Sequence, residues 1–210
     1  MNLIFLGPPG AGKGTTASKV ATEFGIPHIS TGDLFRAAIK NETELGLRVK
    51  AITEKGDLVP DDLTVEIVKE RLHAPDSQKG YILDGFPRTI PQAEALAGYS
   101  SITRVLNFEL DDEEVIERLS GRRVCKACGA GYHVRFMPPK REGVCDVCGG
   151  ELYTRKDDTI DSINNRLKVY SAQTAPLISY YTKRKQLTNV NAKPPADEVL
   201  ASVTRTLKEL

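Results

Sequence analysis

The segment that most constrains this chain is a glycine-rich run near its start, Gly7 to Thr15, with the sequence GPPGAGKGT. It follows an apolar run, Asn2 to Leu6, that is typical of a strand covered on both faces, and it precedes a helical pattern that extends from Thr15 to Phe24. Glycines let main-chain N–H groups curl around phosphate oxygens at a helix N-terminus, and Lys13 adds a positive charge beside them. The order of strand, glycine-rich loop and helix therefore predicts a site for a nucleoside triphosphate.

One position departs from the usual pattern of such loops. That pattern places Ser or Thr directly after the lysine, whereas here Gly14 intervenes and Thr15 is expected to take the role. The alternative interpretation is a glycine-rich turn that happens to contain a lysine, but the flanking strand and helix favour the phosphate site. The motif does not identify what is done with the triphosphate, so a second substrate must bind elsewhere.

Strand and helix patterns alternate along most of the chain. Apolar runs predict strands at residues 2–6, 28–30, 81–83, 104–108 and 187–190. Helical patterns cover residues 15–24, 31–39, 44–54, 61–73, 91–97, 111–119, 159–185 and 194–210. Asp61 and Asp62 offer an N-cap to one of these helices, and Pro176 predicts a break in another. The alternation predicts an α/β fold with helices flanking a central five-stranded parallel sheet.

Composition excludes several classes of protein. The 29 basic and 28 acidic residues give a formal charge of +1, which argues against a surface built throughout to hold nucleic acid or anionic lipid. Hydrophobic residues at 40% are too many for a disordered chain, and 210 residues suffice for one domain with insertions. The apolar run at the start is far too short for a membrane span or a signal core. We therefore expect a cytoplasmic protein with no membrane or nucleic-acid partner.

The stretch from Arg122 to Asp158 interrupts the alternation and holds all four cysteines. They form two pairs of two-residue spacing, Cys125 with Cys128 and Cys145 with Cys148, separated by sixteen residues. Both sulfurs of such a pair can reach one tetrahedral ion at about 2.3 Å, so the pattern predicts a structural Zn²⁺ held by four thiolates. Disulfides are the alternative, and Fe²⁺ or Co²⁺ could occupy the same site.

Five motifs, in order, resemble those of the adenylate kinases, enzymes that interconvert ATP plus AMP with two ADP. They lie at residues 7–15, 30–36, 84–88 and 121–123, and at Arg155 with Asp157 and Asp158. The resemblance extends nearly from end to end, and the cysteine-bearing stretch is similar to the long lid of bacterial members. It implies the P-loop nucleoside-kinase fold, a monomer, and two inserted mobile subdomains: residues 30–59 over AMP and 121–158, a zinc-stapled lid, over ATP. The core would comprise residues 1–29, 60–120 and 159–210.

The resemblance also implies ATP-binding residues in the phosphate loop, the lid and the segment around the base. These are Gly10, Ala11, Gly12, Lys13, Gly14, Thr15, Arg118, Arg122, Tyr132 and Lys193. A surface ion pair with Glu114 is the alternative role for Arg118. Gly131 stands where the family often carries a hydroxyl residue, so no ATP contact is expected from that position.

A second set of residues is implied around AMP. It comprises Thr31, Arg36, Asp57, Leu58, Val59, Gly85, Phe86, Pro87, Arg88, Gln92, Arg155 and Arg166. Gln92 can both donate and accept, as the edge of adenine requires, and with Thr31 and the long lid it favours adenine over a pyrimidine. Pro87 is expected to follow a cis peptide bond that helps to aim Arg88.

Phosphoryl transfer requires two polyanions to be brought in line, their repulsion to be cancelled and water to be excluded. Arginine suits this task because its guanidinium stays charged and donates in a planar fork to phosphate oxygens. The resemblance assigns the catalytic roles to Lys13, Arg88, Arg122, Arg155 and Arg166. Asp84 ends a strand beside the phosphate loop and is expected to reach Mg²⁺ through water, with Asp33 as a second such contact; a turn cap is the alternative for Asp84.

The sequence thus predicts a nucleoside monophosphate kinase that catalyses ATP + AMP = 2 ADP in purine nucleotide homeostasis and salvage, with Mg²⁺ and a structural Zn²⁺. A UMP/CMP kinase shares the phosphate loop and the Asp-Gly-Phe-Pro-Arg turn and is the nearest alternative. A zinc-ribbon ATPase dependent on nucleic acid is an alternative from another class, because residues 121–158 carry eight basic and five acidic residues. The lack of extra basic tails argues against it.

Overall fold

A five-stranded sheet forms the centre of the computed structural model, which describes all residues from Met1 to Leu210. The strands of the chain are β1 (Asn2–Leu6), β2 (His28–Ser30), β3 (Tyr81–Asp84), β4 (Arg104–Glu109), β5 (Arg122–Cys125), β6 (Gly131–His133), β7 (Leu152–Tyr153) and β8 (Leu187–Asn191). The central sheet has the order β2-β3-β1-β4-β8, and every neighbouring pair is parallel. The predicted five-stranded parallel sheet is confirmed, and the carboxyl ends of its strands meet at one edge.

Helices connect these strands and cover both faces of the sheet. They are α1 (Lys13–Phe24), α2 (Thr31–Lys40), α3 (Glu44–Lys55), α4 (Asp61–Leu72), α5 (Ile90–Ala97), α6 (Asp112–Ser120), α7 (Ile160–Val169), α8 (Pro176–Lys183) and α9 (Ala196–Lys208). Short 3₁₀ turns lie at Pro75–Lys79 and Lys156–Asp158, and a π-helical turn at Tyr170–Thr174. None of the helices has the length and apolar character needed to cross a membrane.

Two apolar clusters bury the two faces of the sheet. Phe5 and Phe108 pack with residues of α1 and α9 on one face, whereas Ile4 and Val105 pack with residues of α4, α5 and α8 on the other. Successive strand residues point to opposite faces, so a strand covered on both sides must be apolar throughout. This burial explains the unbroken apolar runs in the sequence, and it gives the edge of the sheet a rigid support.

Residues 30–59, which we call the helical pair, contain α2 and α3. The two helices and the segment that follows them enclose their own apolar cluster around Phe35, Val49 and Val59. Side chains cap both helices at their N-termini: Ser30 accepts from the N–H of Asp33, and the Thr43 hydroxyl accepts from the N–H of Gly46. The helical pair therefore has regular caps and an apolar cluster, against which Leu63 and Ile67 of α4 also pack.

Residues 122–153, which we call the cysteine lobe, form a second, smaller sheet. Its central strand β5 pairs antiparallel with β6 on one side and β7 on the other. The sequence analysis predicts no strand here, because strands of two to four residues are too short to show an alternating pattern. The only buried cluster of the lobe joins Cys125, Tyr132, Cys145 and Leu152.

One helix start and one helix cap differ from the sequence prediction. α1 begins at Lys13 instead of Thr15, and Gly12 before it takes the left-handed cap conformation with φ of 82°. α4 begins at Asp61 as expected but has no side-chain cap. The carboxylate of Asp61 accepts hydrogen bonds from Thr89 and Gln92 instead, so a tertiary contact has taken the group that the sequence assigned to a cap.

The predicted helix at residues 159–185 is divided into α7 and α8. The interruption is the π-helical turn, in which the N–H of Ala175 returns to the carbonyl of Tyr170. Pro176 follows as the first residue of α8, a position that tolerates its missing N–H. The expected break at Pro176 is confirmed, and it extends over the preceding turn.

Candidate active site

The phosphate loop links β1 to α1 and is held in shape by its own lysine. Gly10 and Gly12 adopt φ of 80° and 82°, which a residue with a side chain rarely adopts. The Nζ of Lys13 donates to the carbonyls of Gly7 and Pro8, at 2.7 Å each. Lys13 therefore folds back over the loop that precedes it, at the N-terminus of α1 where an anion is favoured.

Charged groups from several segments surround Lys13. Burial in the cleft lowers the pKa of Lys13 to about 8; Asp84 opposes this shift, and the positive charges of Arg88, Arg166 and Arg122 add to it. These residues come from the β3–α5 turn, β5 and α7, so the fold gathers them from distant parts of the sequence. The cleft that they line carries an excess of positive charge, which attracts polyanions.

Asp84 is the last residue of β3 and lies beside the phosphate loop. A Cβ on Gly14 would stand 3.3 Å from its Oδ2. The same oxygen is 3.3 Å from the Nε2 of His28. Burial would raise the pKa of Asp84, but the hydrogen bond from His28 and the charge of Lys13 outweigh it and lower the pKa below its ordinary value. Asp84 is therefore held as a carboxylate at the edge of the sheet.

The turn after Asp84 fixes the direction of Arg88. The Phe86–Pro87 peptide is cis, as expected. The Nε of Arg88 donates to the carbonyl of Gly85 at 2.8 Å, and the hydroxyl of Thr31 donates to that same carbonyl at 2.8 Å. One carbonyl thus joins the predicted AMP residues Thr31, Gly85 and Arg88, while Phe86 and Pro87 are buried beneath them.

Gln92 is buried, with only 1% of its surface exposed. Its Oε1 accepts from the main-chain N–H of Arg88 at 2.7 Å, and its Nε2 donates to Asp61 at 2.7 Å. An ordinary surface role, the default for a lone glutamine, is excluded by this burial. The amide serves first to hold the Arg88 turn against α4, and each of its polar atoms keeps one further hydrogen-bonding direction.

Arg36 and Asp33 lie one turn apart on α2 and form an ion pair with an Nη2–Oδ1 distance of 2.6 Å. Burial would raise the pKa of Asp33, but Arg36 outweighs burial and lowers it. The structure places the Asp33 carboxylate against Arg36, whereas the Asp84 carboxylate lies against His28 and close to Lys13. The two predicted Mg²⁺ contacts therefore have different neighbours.

Three of the predicted catalytic arginines meet around two carboxylates. The Nε of Arg122 donates to Asp158 at 2.8 Å, and Nη1 of Arg166 donates to Asp157 at 3.0 Å and to Asp158 at 3.3 Å. Burial, with Arg122 and Arg36 nearby, lowers the pKa of Arg155 to about 10, and its Nε has no hydrogen-bond partner. The cluster thus retains donors for an anion.

Arg118 and the segment at Lys193 are joined directly. The guanidinium of Arg118 donates to the carbonyls of Ala192 and Lys193, each at 2.9 Å. The alternative ion pair between Arg118 and Glu114 is wrong, because Glu114 lies instead 3.9 Å from the Nζ of Lys193, which also pairs with Asp111. Two residues predicted at the base of ATP are therefore adjacent in space.

Residues 57–59, predicted beside AMP, follow the end of α3. Asp57 is exposed, Leu58 is half-buried and Val59 belongs to the apolar cluster of the helical pair. The carboxylate of Asp57 accepts a hydrogen bond from Asn165 on α7. This segment therefore reaches from the helical pair to the helix that carries Arg166.

The four cysteines of the lobe converge on one point. All four sulfur atoms lie within 4.8 Å of one another, with 3.5 Å between Cys125 and Cys148 and 3.6 Å between Cys128 and Cys145. A disulfide needs about 2.05 Å, and all four thiols are free. Ligands at about 2.3 Å from a tetrahedral ion would be about 3.8 Å apart, so the cluster fits a single tetrahedral metal ion.

Tyr132, predicted to touch ATP, packs inside the cysteine lobe. Its hydroxyl lies 3.4 Å from the sulfur of Cys145 and accepts from the N–H of Asp146 at 2.7 Å. Its hydroxyl therefore contacts a cysteine, and this hydrogen bond is the main cause that lowers the pKa of Cys145 to about 6. The neighbouring Gly131 is exposed, and a Cβ there would meet nothing within 4 Å.

Three residues that the sequence analysis did not assign to the site support it. His28 contacts Asp84, Asp61 contacts Gln92, and the hydroxyl of Thr174 donates to the carbonyl of Arg88 at 2.9 Å. Their partners lie between 31 and 86 residues away along the chain. No local pattern predicts these contacts; His28, for example, lies opposite Ile82 in the parallel register and reaches Asp84 with its side chain.

Comparison with known proteins gives a consistent result. A family model described as adenylate kinase matches residues 5–186. The chain is 59% identical over 202 residues to an adenylate kinase of Treponema denticola, covering 96% of this chain and 97% of that protein. It is 58% identical over 214 residues to an adenylate kinase of Carboxydothermus hydrogenoformans, with both chains covered in full. It is 51% identical over 212 residues to an adenylate kinase of Lachnospira eligens, with 99% of this chain and all of that protein covered.

Proposed function

This chain belongs to the adenylate kinase family and catalyses ATP + AMP = 2 ADP, and from that premise we propose which of its residues bind each nucleotide and carry the transfer. ATP, AMP and ADP are its substrates. The UMP/CMP kinase alternative and the nucleic-acid-dependent ATPase are not favoured, because full-length relatives at 50–59% identity are named adenylate kinase.

The observation that carries the residue assignment is the convergence of positive side chains on Lys13 at the carboxyl edge of the sheet. Two nucleotides facing each other there bring many negative charges together, and a positively lined cleft offsets their repulsion. The residues assigned to the transfer are Lys13, Arg88, Arg122, Arg155 and Arg166. No side chain is required as a covalent nucleophile, because an oxygen of the AMP phosphate attacks the γ-phosphorus of ATP directly.

We assign the ATP side to the phosphate loop, to Arg118 with Lys193, and to the lid. Main-chain N–H groups from Gly10 to Thr15 hold the phosphates at the N-terminus of α1. Arg118 fixes the carbonyls of Ala192 and Lys193, so the main chain at the base of ATP is already ordered. Tyr132 supports this side from within the cysteine lobe.

We assign the AMP side to the turn at residues 85–88 and to the helical pair. Arg36 and Arg88 hold the phosphate, and Thr31 stands beside them through the carbonyl of Gly85. Gln92 and residues 57–59 surround the base. The remaining donor and acceptor directions of Gln92 suit adenine, whose edge offers both an acceptor and a donor.

The residues around Asp84 fit a magnesium ion bound with ATP. Asp84 lies beside Gly14 and Lys13 as a carboxylate. Carboxylate oxygens are the ligands that Mg²⁺ prefers. When bound, the ion neutralises charge on the phosphate oxygens and orients them. Asp84 would hold it through water, and His28 fixes the orientation of the Asp84 carboxylate. Asp33, paired with Arg36, would act from the AMP side.

The cysteine cluster fits a structural zinc ion. Four thiols at tetrahedral separations leave no position open for a reacting water, so the ion would hold the lobe together and take no part in the chemistry. We further propose that residues 30–59 and 121–158 close over AMP and ATP respectively, against a core of residues 1–29, 60–120 and 159–210. Closure would expel water and prevent hydrolysis of ATP. A cytoplasmic monomer completes the proposal.

Substitution of Lys13 tests the assignment. Lys13→Met should reduce transfer at least about 100-fold while the protein stays folded, because one charge acting on the migrating phosphoryl group is removed. Lys19→Met, an exposed position on the same helix, is the matched control and should retain full activity. Near-normal rates for Lys13→Met would contradict the assignment of Lys13.

A coupled assay tests the choice of acceptor. MgATP is supplied with AMP, CMP, UMP or GMP and with no acceptor. Turnover is expected with AMP as the acceptor and not with CMP, UMP or GMP. Turnover without any acceptor would favour an ATPase.

A further inference from the structure

The C-terminal end of α3 lies against α7, the helix that carries Arg166. The last carbonyls of a helix have no donors within it. At the end of α3, the N–H of Gly56 returns to the carbonyl of Thr53 and the N–H of Asp57 to that of Ile52. The carbonyls of Glu54 and Lys55 must therefore find their donors elsewhere.

Two side chains of α7 supply these donors. The hydroxyl of Ser162 donates to the carbonyl of Glu54 at 3.0 Å. The Nδ2 of Asn165 donates to the carbonyl of Lys55 at 2.9 Å and to the carboxylate of Asp57 at 2.7 Å. α7 thus caps α3 from outside, and Asn165 also holds the first residue of the segment at 57–59.

Close packing at Gly56 makes this junction tight. Gly56 has φ of 84°, and a Cβ there would lie 2.7 Å from the Cγ of Arg166 and 3.0 Å from the carbonyl oxygen of Ser162. The end of α3 therefore rests directly on the stem of Arg166. Asn165 and Arg166 are consecutive, so one short stretch of α7 contacts the helical pair and supplies a transfer arginine.

We propose that Asn165 is a positioning residue for AMP. It fixes the main chain of residues 57–59, where the proposed function places the base of AMP, at a set distance from Arg166, and this proposal rests on that placement. The neighbouring Asn164 is exposed and its side chain makes no hydrogen bond in the structure, so it offers a matched control.

Steady-state kinetics with both substrates test the proposal. Asn165→Ala removes two hydrogen bonds and should raise the KM for AMP by about five-fold, while kcat and the KM for ATP change less than about two-fold. Asn165→Asp should raise the AMP KM further, because a carboxylate cannot donate and would face both the Lys55 carbonyl and the Asp57 carboxylate. Asn164→Ala should match the unmodified protein.

Adding Asp57→Asn to Asn165→Asp provides a rescue. The pair then regains one hydrogen bond with its direction reversed, so the AMP KM should fall below that of Asn165→Asp alone. A purely structural role would raise the KM for both substrates alike. Equal AMP KM values for Asn165→Ala and Asn164→Ala, or an equal rise in the KM for ATP, would overturn the inference.

Hydrogen exchange separates failure of this inference from failure of the proposed AMP site. In the unmodified protein, saturating AMP should slow amide exchange at residues 57–59. Absence of that effect would overturn both the proposed site of the AMP base and the inference that depends on it. Slower exchange together with an unchanged AMP KM in Asn165→Ala would overturn the role of Asn165 alone.

Discussion

The helical pair and the cysteine lobe are held together by different means. The helical pair encloses Phe35, Val49 and Val59, and both of its helices have side-chain caps. The cysteine lobe buries one small cluster in which two of the four members are cysteines. Apolar burial can stabilise the first, whereas the second has a much smaller core, and the proposed metal ion between its thiols would stabilise it. The proposed AMP and ATP sides should therefore respond to different perturbations.

Removal of one thiol should have the largest effect. With Cys145→Ser, a tetrahedral ion loses one of its four ligands, so bound zinc should fall from about one per chain toward zero. Transfer should fall on the order of 100-fold, because β5 of the disordered lobe carries Arg122. Metal analysis, activity and hydrogen exchange check this, with faster exchange expected at residues 122–153 and unchanged exchange at residues 31–55.

Val147→Ser is the control for that experiment. Val147 lies in the same knuckle, is 74% exposed and is not a thiol, so zinc content and melting temperature should not change. Purified protein that lacks metal yet keeps full thermal stability would contradict the zinc proposal. It would also remove the difference between the two regions.

A cavity in the helical pair should disturb the AMP side alone. Val49 is 1% exposed on α3, and Val49→Ala should lower the free energy of unfolding of this region by about 2 kcal/mol. The KM for AMP should rise while zinc content stays constant. Leu47→Ala on the same helix is the control, since Leu47 is 65% exposed and its loss should change stability by less than about 0.5 kcal/mol. Loss of zinc in Val49→Ala would contradict the separation of the two regions.

The same contrast explains what the sequence could predict. The central sheet was predictable because strands buried on both faces, such as β1, must be apolar throughout. The strands of the cysteine lobe were not, because β7, for example, has two residues, too few to show an alternating pattern of apolar residues. The spacing of the cysteines did predict their cluster, since a two-residue gap is a local constraint on geometry.

Within the site, residue types were predictable but their partners were not. Gln92 was singled out for its amide, yet its contact with Asp61 spans 31 residues and depends on how α4 packs against α5. The contact of Arg118 with Ala192 spans 74 residues. The rule that oppositely charged residues four apart on a helix can pair favoured an ion pair between Arg118 and Glu114. The tertiary contact prevailed because it gives the guanidinium two carbonyl acceptors.

A change in pH should weaken the binding of ATP more than that of AMP, by less than the effects of the substitutions above. Lys13, with a pKa of about 8, is charged below that pH and neutral above it. From pH 7 to pH 9 its charged fraction falls from about nine-tenths to about one-tenth, so ATP binding should weaken by up to about ten-fold. The arginines stay mostly charged up to pH 9, even Arg155 and Arg166 with pKa values of about 10, so AMP binding should change less than about two-fold. Calorimetric titration of each nucleotide checks this, and ATP binding by Lys13→Met should lose the dependence.

Deprotonation of Lys13 does not itself destabilise the fold, because the stability contribution of this group has the opposite sign to its effect on ATP binding. Between pH 8 and its ordinary pKa of 10.5, Lys13 holds its proton in the unfolded chain but not in the folded one. Stability from this group therefore rises with pH in that window. Weaker AMP binding over the same range, in parallel with ATP, would contradict the distinction between the two sides.

The smallest effect is expected from the ion pair that joins the end of the proposed lid to the helical pair. Lys156 and Glu54 lie 3.0 Å apart, but their side chains are 74% and 37% exposed. Glu54→Gln should change the free energy of unfolding by well under 1 kcal/mol and leave the AMP KM unaltered, because water screens such a pair. The main-chain carbonyl of Glu54 keeps its bond from Ser162 in this variant, so the cap on α3 survives. Glu66→Gln, at an exposed acid without an ion pair, is the control in denaturant unfolding. A larger loss of stability, or a raised AMP KM, would mean that this charge pair, and not the caps from α7, chiefly holds the end of α3 in place. The caps are expected to dominate because an unpaired carbonyl costs more than an exposed charge pair contributes.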